Sequence, residues 1–574
     1  MSDKNSTSGS GSPKIGQPHE GHPKQVADDG LVKLQSAKGD TVLAIQSDAE
    51  HGKTAGPGVK LARDEQTVLI PQPTEDMDDP LNWCSFRKHM ILICVSLGAF
   101  LGDLGMAVGI PSVVLQSQEW AISPTVANLP NNLAVLMIGI SSLVWMPLTN
   151  CWGRAPVFFW STLMGLMFTL GCLVTRDFNT FYAMRALQAA TQATGSTIGL
   201  VVIHDMFFFH EHARKIGIWY AFFLTSPFAG PLLGNFMIAG LGAWRPVFWL
   251  VFAVGAALLG MTLVFFDETM YNRSIAVEKQ PRRGAGLLAR LLRVLGIWQW
   301  KHHTGYFDGV IESYWKLVIV CSKPIIPITV FIYGIIFMWS IGINQTSAIL
   351  LETPRANGGY GLSARAIGYI YFTPIVATLM GEGFGHFYND YLVRRHARRH
   401  NSTFVPEVRL WATYPMAVIM IPGLVLVGQT LQKHLHWAGI IFGWGAYQLG
   451  VMVVSVAVVA YVYDCYPGHA AEVSAFVNFG RALCGFVVGY FQQEWGLNQG
   501  FDVVPQPGGH GPRVILFAVQ QLRLGRTIAV PQRILKRALD DRYSAVTIPP
   551  GRRQQRLSGL NRLVTYHLSH DGRI

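Results

Sequence analysis

Apolar residues are gathered into eleven stretches, each about 20 residues or longer, and polar residues fill the segments between them. A helix of ~20 apolar residues crosses a hydrocarbon core ~30 Å thick. Inside lipid, only a helix or a closed barrel satisfies every backbone N–H and C=O group. The pattern therefore predicts spanning helices at about 90–114, 128–149, 155–174, 180–203, 215–241, 246–266, 325–348, 366–388, 410–429, 436–462 and 471–492.

A long polar segment, 267–324, separates the sixth stretch from the seventh. A six-plus-five pattern predicts an all-α membrane protein of two six-helix halves, with the twelfth helix missing from this chain. Transporters built from two like halves bind substrate near the midplane between them. We divide the chain into a disordered cytosolic tail (1–85), a six-helix half (86–268), a cytosolic central loop (269–324), a second half with five detected helices (325–498) and a basic tail (499–574).

The central loop contains one amphipathic pattern. Five leucines recur at helical spacing from Leu287 to Leu295, and Arg290 and Arg293 lie elsewhere on the helical wheel. This pattern is typical of a helix in the membrane interface. A soluble helix packed on the loops is the alternative.

The distribution of basic residues predicts the orientation. The loops on one side hold about 17 Lys and Arg residues and the loops on the other side about five. We therefore expect a cytosolic N-terminus. The net charge of +12 does not indicate nucleic-acid binding, because the last 76 residues, with 12 Lys and Arg against 4 Asp and Glu, supply +8 of it.

The last 76 residues do not continue the apolar pattern. Their longest apolar run, Val514 to Val519, is far shorter than a spanning helix, and the segment has 11 Arg but 1 Lys. We interpret this tail as aberrant, from a retained intron or a shifted frame. A genuine basic tail with an odd helix count is the alternative.

Two charged residues fall deep inside predicted spans. Asp103 lies near the middle of the first span, and such a side chain must face a cavity or carry a proton because a charge there is costly. Arg481 lies about ten residues into the eleventh span, one turn after Asn478. Since Arg keeps its charge, it needs an anion or a carboxylate partner. We predict proton coupling at Asp103 and a gating role for Asn478 and Arg481, with neutral or structural pairing as the alternative.

Further polar side chains inside spans are candidates for a substrate cavity, with polar packing between helices as an equally good explanation: Asn131, Asn132, Asn344 and Gln345. Enzyme motifs are not found. His210-Glu-His212 lacks the His-Glu-x-x-His spacing, and no Gly-x-Ser-x-Gly elbow, phosphate loop or dinucleotide fingerprint occurs. We therefore predict no enzyme activity, no cofactor and no metal site.

Local motifs identify a family. The segment Met146-Pro-Leu-Thr-Asn-Cys-Trp-Gly-Arg154 resembles the Gly-x-Leu-Ala-Asp-Arg-x-Gly-Arg loop of the major facilitator superfamily. Asn150 replaces the usual Asp, so we expect the turn and Arg154 to be kept and the charge pair to be weaker. Arg185-Ala-Leu-Gln188 resembles the family's Arg-x-x-Gln-Gly signature, and Arg185 is expected to face a cavity or a carboxylate, or else to snorkel to the outer end of its helix.

The fifth span contains the most specific motif, Ser226-Pro227-Phe-Ala-Gly230-Pro231-Leu-Leu-Gly234. It resembles the Gly-x-x-x-Gly-Pro-x-x-Gly signature of drug/proton antiporters in this superfamily. Two prolines bend the helix, and Gly230 and Gly234 allow close packing. A generic kinked helix is the alternative.

The resemblance covers about 80–498 and is to fungal members of the twelve-helix antiporter family. It implies a major facilitator fold and a proton-coupled secondary transporter that exports small organic molecules or drugs. We expect a monomer in the bilayer, in the plasma membrane rather than the vacuole, with protons and a small molecule as partners. Uptake of a small nutrient or polyamine, or a non-transporting sensor, are the alternatives.

Overall fold

A computed structural model describes residues 31–35, 41–45, 69, 71–273, 275–284, 286–303, 305–355, 359–399, 406–466 and 469–499. The basic tail after Gln499, and with it the expectation of a missing twelfth helix, lies outside the described residues.

Residues 1–69 and 70–574 form two separate units. In the first unit, strand β1 (Leu31–Gln35) pairs antiparallel with strand β2 (Thr41–Ile45), with Leu31 opposite Ile45. These ten residues lie within the tail that the sequence predicts to be disordered. Both segments are rich in Leu, Val and Ile, and side chains of this kind favour paired strands.

The ordered part of the second unit also begins earlier than expected. A 3₁₀-helix spans Pro80–Asn82, and the Asp79 side chain caps it by accepting from the Leu81 amide at 3.0 Å. Asp79 is also paired with Arg273 at 2.9 Å, and Leu81 is buried. This short segment, which precedes the boundary predicted at residue 85, therefore packs on the helix bundle.

The first half contains nine helices. They are α1 (Ser85–Ala107), α2 (Val113–Glu119), α3 (Pro124–Ala127), α4 (Leu129–Trp152), α5 (Arg154–Val174), α6 (Phe178–Gln192), α7 (Thr194–Met206), α8 (Phe209–Leu241) and α9 (Arg245–Phe265). Short 3₁₀ turns at Ile110–Ser112 and Pro80–Asn82 connect or precede them.

The remaining helices belong to the central segment and the second half. They are α10 (Leu287–Val294), α11 (Ile297–Lys301), α12 (Val310–Cys321), α13 (Ile325–Glu352), α14 (Ala364–Ile370), α15 (Phe372–Arg399), α16 (Thr413–Gln432), α17 (Ala438–Cys465) and α18 (Ala470–Gln499). The all-helical membrane fold predicted for the two halves is confirmed.

Helices occur at all eleven positions predicted to span the membrane. Within the described residues, nine helical segments are long and apolar enough to cross a bilayer. The two other positions are the pair α6–α7, interrupted at Ala193, and the pair α14–α15, interrupted at Tyr371. The polar side chains of Arg185, Gln188 and Gln192 lower the hydropathy of the pair α6–α7. All three are buried and make contacts inside the bundle.

The central segment is more helical than expected. Helix α10 forms at the predicted leucines, but α12 falls where the sequence predicted only a polar loop. Its apolar positions are separated by Glu312 and Lys316, so it does not stand out as a hydrophobic run. Helix α12 packs on α4 of the first half and on α18 of the second half.

The two halves meet along α4 and α18, and also where α8 contacts α14 and α15. At Gly139 of α4, an added Cβ would lie 2.6 Å from the Ala482 Cβ and 3.3 Å from the Phe479 backbone of α18. Ser142 donates to the Ala475 carbonyl at 2.9 Å on the same pair of helices. Close backbone approach here depends on small residues.

An ionic cluster closes the loop-side end of the first half, the end at which α1 begins and α9 stops. Asp267, directly after α9, accepts from Arg293 at 2.7 and 2.8 Å and is also paired with Arg87. Burial alone would raise the pKa of Asp267, but the hydrogen bonds and charge of Arg293, with the charge of Arg87, hold it below its ordinary value. The ionised carboxylate therefore joins α1, α9 and α10.

We expect Asp267→Asn to destabilise the protein by ~3–5 kcal/mol, because two arginines lose a buried counter-charge. The pKa of Asp267 in the folded protein lies below its ordinary value of 3.8. The ion pairs of the wild type therefore stabilise the fold at pH values above 3.8, and this stabilisation is lost as the pH falls through the folded-state pKa. The variant should lack this acid-dependent loss. Detergent-induced unfolding monitored between pH 3 and pH 7 measures both effects.

Asp308→Asn is the matched control, since Asp308 pairs with Lys316 at 3.0 Å in an exposed site. Such pairs contribute ~0–1 kcal/mol. Equal losses in the two variants would contradict a special role for Asp267.

Candidate functional site

The structure brings together two residues that the sequence singled out separately. Arg481 of α18 lies 3.7 Å from the Asp103 carboxylate of α1. Both residues are buried, with Arg481 9% and Asp103 3% exposed. At this separation the contact is ionic rather than a hydrogen bond. It joins the first helix of one half to the last described helix of the other.

Aromatic rings surround the Arg481 guanidinium. It lies 4.9 Å from the ring centre of Phe223 on α8 and 4.9 Å from that of Phe337 on α13. Cation–π contacts of this kind are worth ~0.5–2 kcal/mol. Asn478, one turn earlier on α18, is also buried.

Two glycines that precede Asp103 bring the backbone of α1 close to the start of α7 and the end of α6. An added Cβ at Gly98 would lie 3.5 Å from the Gly195 Cα, and at Gly102 it would lie 2.7 Å from the Gln192 carbonyl oxygen. These glycines serve helix contact, which holds α1 against α7 and fixes the position of Asp103.

Arg185 is fully buried and does not snorkel. Its guanidinium donates to the carbonyls of Gly105 and Met106, at the end of α1, and to the Gln188 side chain at 2.7 Å. Among the described residues, no carboxylate lies within ion-pair distance of it. The carbonyls at a helix C-terminus carry partial negative charge, so the end of α1 compensates Arg185 in place of an acidic side chain.

Gln188 extends this network to α5. Its amide nitrogen donates to the Thr169 hydroxyl at 3.0 Å, and Gln192 donates to the same hydroxyl at 3.1 Å. The Asn131 side chain accepts from Arg185 at 3.3 Å and so adds α4. Arg185 and Gln188 therefore hold α1, α4, α5 and α6 together.

Arg154 has the two kinds of partner that its motif allows. Its side chain lies 3.2 Å from the Asp205 carboxylate of α7 and donates to the Thr149 carbonyl of α4 at 3.0 Å. Although Asn150 lacks a charge, Asp205 supplies the carboxylate from a different helix.

Gly153 is required by the same loop. It has φ +93°, and an added Cβ would clash with the Glu268 carboxylate. Glu268 accepts from the amides of Arg154 at 3.0 Å and Ala155 at 3.3 Å, so it caps the start of α5. Gln299 of α11 donates to the same carboxylate at 2.9 Å.

The prolines of α8 explain one contact between the halves. Pro231 has no N–H, so the Pro227 carbonyl loses its usual partner one turn later. Asn344 of α13 donates its side-chain N–H to that carbonyl at 3.1 Å. The second half therefore completes the backbone hydrogen bonding of a helix in the first half.

Gly230 and Gly234 face α1 and its continuation. An added Cβ at Gly230 would lie 2.9 Å from the Leu104 carbonyl oxygen and 3.1 Å from the Val108 nitrogen. At Gly234 it would lie 2.8 Å from Pro111. The motif thus positions α8 against the helix that carries Asp103.

The remaining cavity candidates also lie between the halves. Asn132 donates to the Gly489 carbonyl of α18 at 3.0 Å, and Gln345 donates to the Asn131 carbonyl at a longer 3.4 Å. Within the part of the chain that the structure describes, the buried side-chain oxygens of Asn132, Asn344 and Gln345 accept no hydrogen bond. Such acceptors are costly when unmatched, so they are available to a ligand that donates hydrogen bonds.

Sequence reasoning missed several residues that complete this site. Phe223 and Phe337 are ordinary apolar residues of their spans, and no sequence signal marks them. Asp205 and Glu268 lie near helix ends, where acidic residues are common. A search for a carboxylate to pair with Arg154 would have found Asp205 as a candidate.

The arrangement is that of a transport protein. Two helical halves enclose buried charged and amide side chains. The family profile of the Major Facilitator Superfamily matches residues 95–489. The chain belongs to this superfamily and is a multi-pass integral membrane protein, a secondary transporter and not an enzyme.

Fungal transporters are among the relatives. The chain is 26% identical over 437 residues to Citrate exporter 1 of Aspergillus niger. The match covers 70% of this chain and 78% of the relative. It is 20% identical over 540 residues to the MFS antiporter QDR3 of Candida albicans, covering 74% and 76%. The predicted resemblance to fungal antiporters is confirmed.

A solved structure shows the same fold. The xylose transporter XylE of E. coli, in a partially occluded inward-open conformation, matches with a TM-score of 0.51 at 14% identity. The match covers 77% of this chain and 97% of that structure. At this identity the likeness concerns the fold alone.

We expect Gly230→Leu to abolish transport while the protein still reaches the membrane. The added side chain would enter the backbone contact with α1, at a cost of ~1–3 kcal/mol or more. Gly240→Leu, on the same helix, is the control, because an added Cβ there meets nothing within 4 Å. The measurement is the transport rate of each variant, normalised to the amount of membrane-inserted protein. A normal rate in the Gly230 variant would show that the contact between α8 and α1 is loose.

Asn344→Leu should cost ~1–3 kcal/mol, because the Pro227 carbonyl is left buried without a donor. In a Pro231→Ala background, the new N–H at position 231 can bond to that carbonyl, so the same change should cost less. A double-mutant cycle of unfolding free energies measures this coupling. Pro422→Ala, inside α16, is the matched control background, and equal coupling with it would refute the assignment.

Proposed function

We propose that this transporter exports small organic molecules in exchange for protons and that Asp103 carries the proton. The observation that supports this most directly is the buried contact between Asp103 and Arg481. Charged side chains within a membrane span are costly unless they are paired or take part in transport. The pair also connects the two halves, which must move against each other for alternating access.

Only one member of the pair can be neutralised. A carboxyl group can gain a proton, whereas a guanidinium group in a protein stays charged. A proton on Asp103 removes the attraction between α1 and α18. Phe223 and Phe337 then still stabilise the guanidinium, so the cost of breaking the pair is reduced.

Substrate would bind between the halves near the unmatched amide oxygens of Asn132, Asn344 and Gln345. Export as the direction is supported by the names of relatives, which include Citrate exporter 1 and Efflux pump radE. Arg154, Arg185, Gln188 and the proline–glycine motif of α8 would hold the helices that gate this path. We also propose a monomer in the plasma membrane. The excess of Lys and Arg in the loops on one side supports a cytosolic N-terminus.

Inside-out vesicles from cells that express the chain test this function. Citrate and rhodamine 6G serve as probes of opposite charge. We expect a proton gradient to drive accumulation of a probe and a protonophore to abolish it. Accumulation of a probe that does not depend on the proton gradient would contradict proton coupling. Uphill transport of a probe only into right-side-out vesicles would favour uptake as the direction.

Asp103→Asn should abolish gradient-driven accumulation while binding of the probe stays measurable. Asp103→Glu is the control, because it retains a titratable carboxyl group. Arg481→Lys should impair transport, because Lys lacks the planar guanidinium that faces the two rings. Full uphill transport by the Asn variant would remove Asp103 from the mechanism.

A further inference from the structure

A second carboxylate is buried inside the bundle, in the other half from Asp103. Glu382 of α15 is 8% exposed, and acidic side chains are rarely buried to this extent. Its Oε1 atom lies 2.9 Å from His386 Nε2, one turn later on the same helix. Its Oε2 atom is buried and, among the residues that the structure describes, receives no hydrogen bond. An unmatched carboxylate oxygen is costly, so this atom is placed to take up a proton.

Two aromatic pairs connect the surroundings of Glu382 with those of Arg481. Each pair has a phenylalanine whose ring centre lies 4.9 Å from the guanidinium and a tyrosine within electrostatic reach of the Glu382 carboxylate. The pairs are Phe223 with Tyr220 on α8, with ring centres 6.1 Å apart, and Phe337 with Tyr333 on α13, at 5.7 Å. Glu382 and the buried ion pair of Asp103 therefore border the same group of aromatic side chains.

Exposure rises from the buried ion pair towards the loop-side face. The Asp103 side chain is 4% exposed, that of Glu382 is 11% and that of His386 is 52%. Helix α15 continues to Arg399, beyond the end of the eighth span predicted at residue 388. His386 thus lies where α15 leaves the span, and Glu382 lies one turn deeper.

We propose that Glu382 receives the proton that leaves Asp103 and releases it at the loop-side face, an inference that rests on the proposed exchange for protons. The O–H bond of the Asp103 carboxyl breaks as an O–H bond forms at Glu382 Oε2. That second bond then breaks, and the proton passes to loop-side water. His386 is a positioning residue, because an Nε2–H that donates to Oε1 favours the ionised carboxylate and thereby the release.

Other titratable and charged groups lie near this pair. Asp390 follows on α15, and Arg409 belongs to the 3₁₀-helix Pro406–Ala412 that packs on α15. Arg409 is paired with Asp464 at the end of α17, and Tyr463 of α17 lies near Tyr220. These groups stay unchanged in the variants below, so a change in pH dependence reports on Glu382 and His386.

Two assays on the purified full chain in proteoliposomes separate proton transfer from substrate movement. A proton gradient drives accumulation of rhodamine 6G or citrate, whereas counterflow of labelled against unlabelled probe at equal pH needs no net proton transfer. We expect the isosteric Glu382→Gln variant to lose gradient-driven accumulation and to keep wild-type counterflow. Glu382→Asp keeps a carboxyl group and should retain accumulation. Glu312→Gln, which removes an exposed carboxylate of α12, is the matched control and should retain both activities.

Wild-type accumulation by Glu382→Gln would overturn the proposal. Loss of counterflow together with accumulation would also overturn it, because Glu382 would then serve substrate binding or helix movement. A wild-type protein that ignores the proton gradient would instead refute the proposed function itself. The two failures are therefore distinguishable.

His386→Ala provides a second test, which stands even if Glu382→Gln does not fold. Loss of the donor disfavours the ionised carboxylate, so release requires fewer protons on the loop side. We expect the loop-side pH of half-maximal accumulation to rise, with little loss of rate at high pH. His386→Gln keeps an N–H donor and should restore the wild-type profile. An equal fall in rate at every pH would show a merely structural role and contradict the proposal.

Discussion

A charge held between membrane helices must be compensated nearby, and this requirement organises the bundle. Asp103 and Arg481 satisfy it for each other across the two halves. Arg185 satisfies it differently, through the carbonyls at the end of the helix that bears Asp103. Both arginines therefore depend on α1, one through its side chain and one through its backbone, so a shift of α1 changes the surroundings of both.

The loop-side end of the first half follows the same rule with ordinary ion pairs. Asp267 holds Arg87 and Arg293, while Glu268 caps α5 and accepts from Gln299 of α11. Two adjacent acidic residues thus tie the first, third and sixth spans to the central segment. These contacts join the first half to the segment that follows it and do not involve the second half.

The sequence predicts single helices well and their partners poorly. The length of an apolar stretch can be read directly from the sequence, so hydropathy predicts the positions of all eleven spans. Asp103 and Arg481 stand out because each is a charge in an apolar run. Their contact does not follow, because it depends on the packing of helices that are far apart in the chain. Helix α12 was missed for the opposite reason, since Glu312 and Lys316 interrupt its apolar stripe.

The contact between Asn344 and the Pro227 carbonyl has a consequence for the transport cycle. A helix normally contains all of its own hydrogen bonds, but α8 obtains one from α13. When the halves part, that carbonyl must exchange an amide donor for a water molecule. Opening of the halves is thereby linked to hydration of one backbone group, whose infrared amide I frequency would report the conformation of the whole transporter.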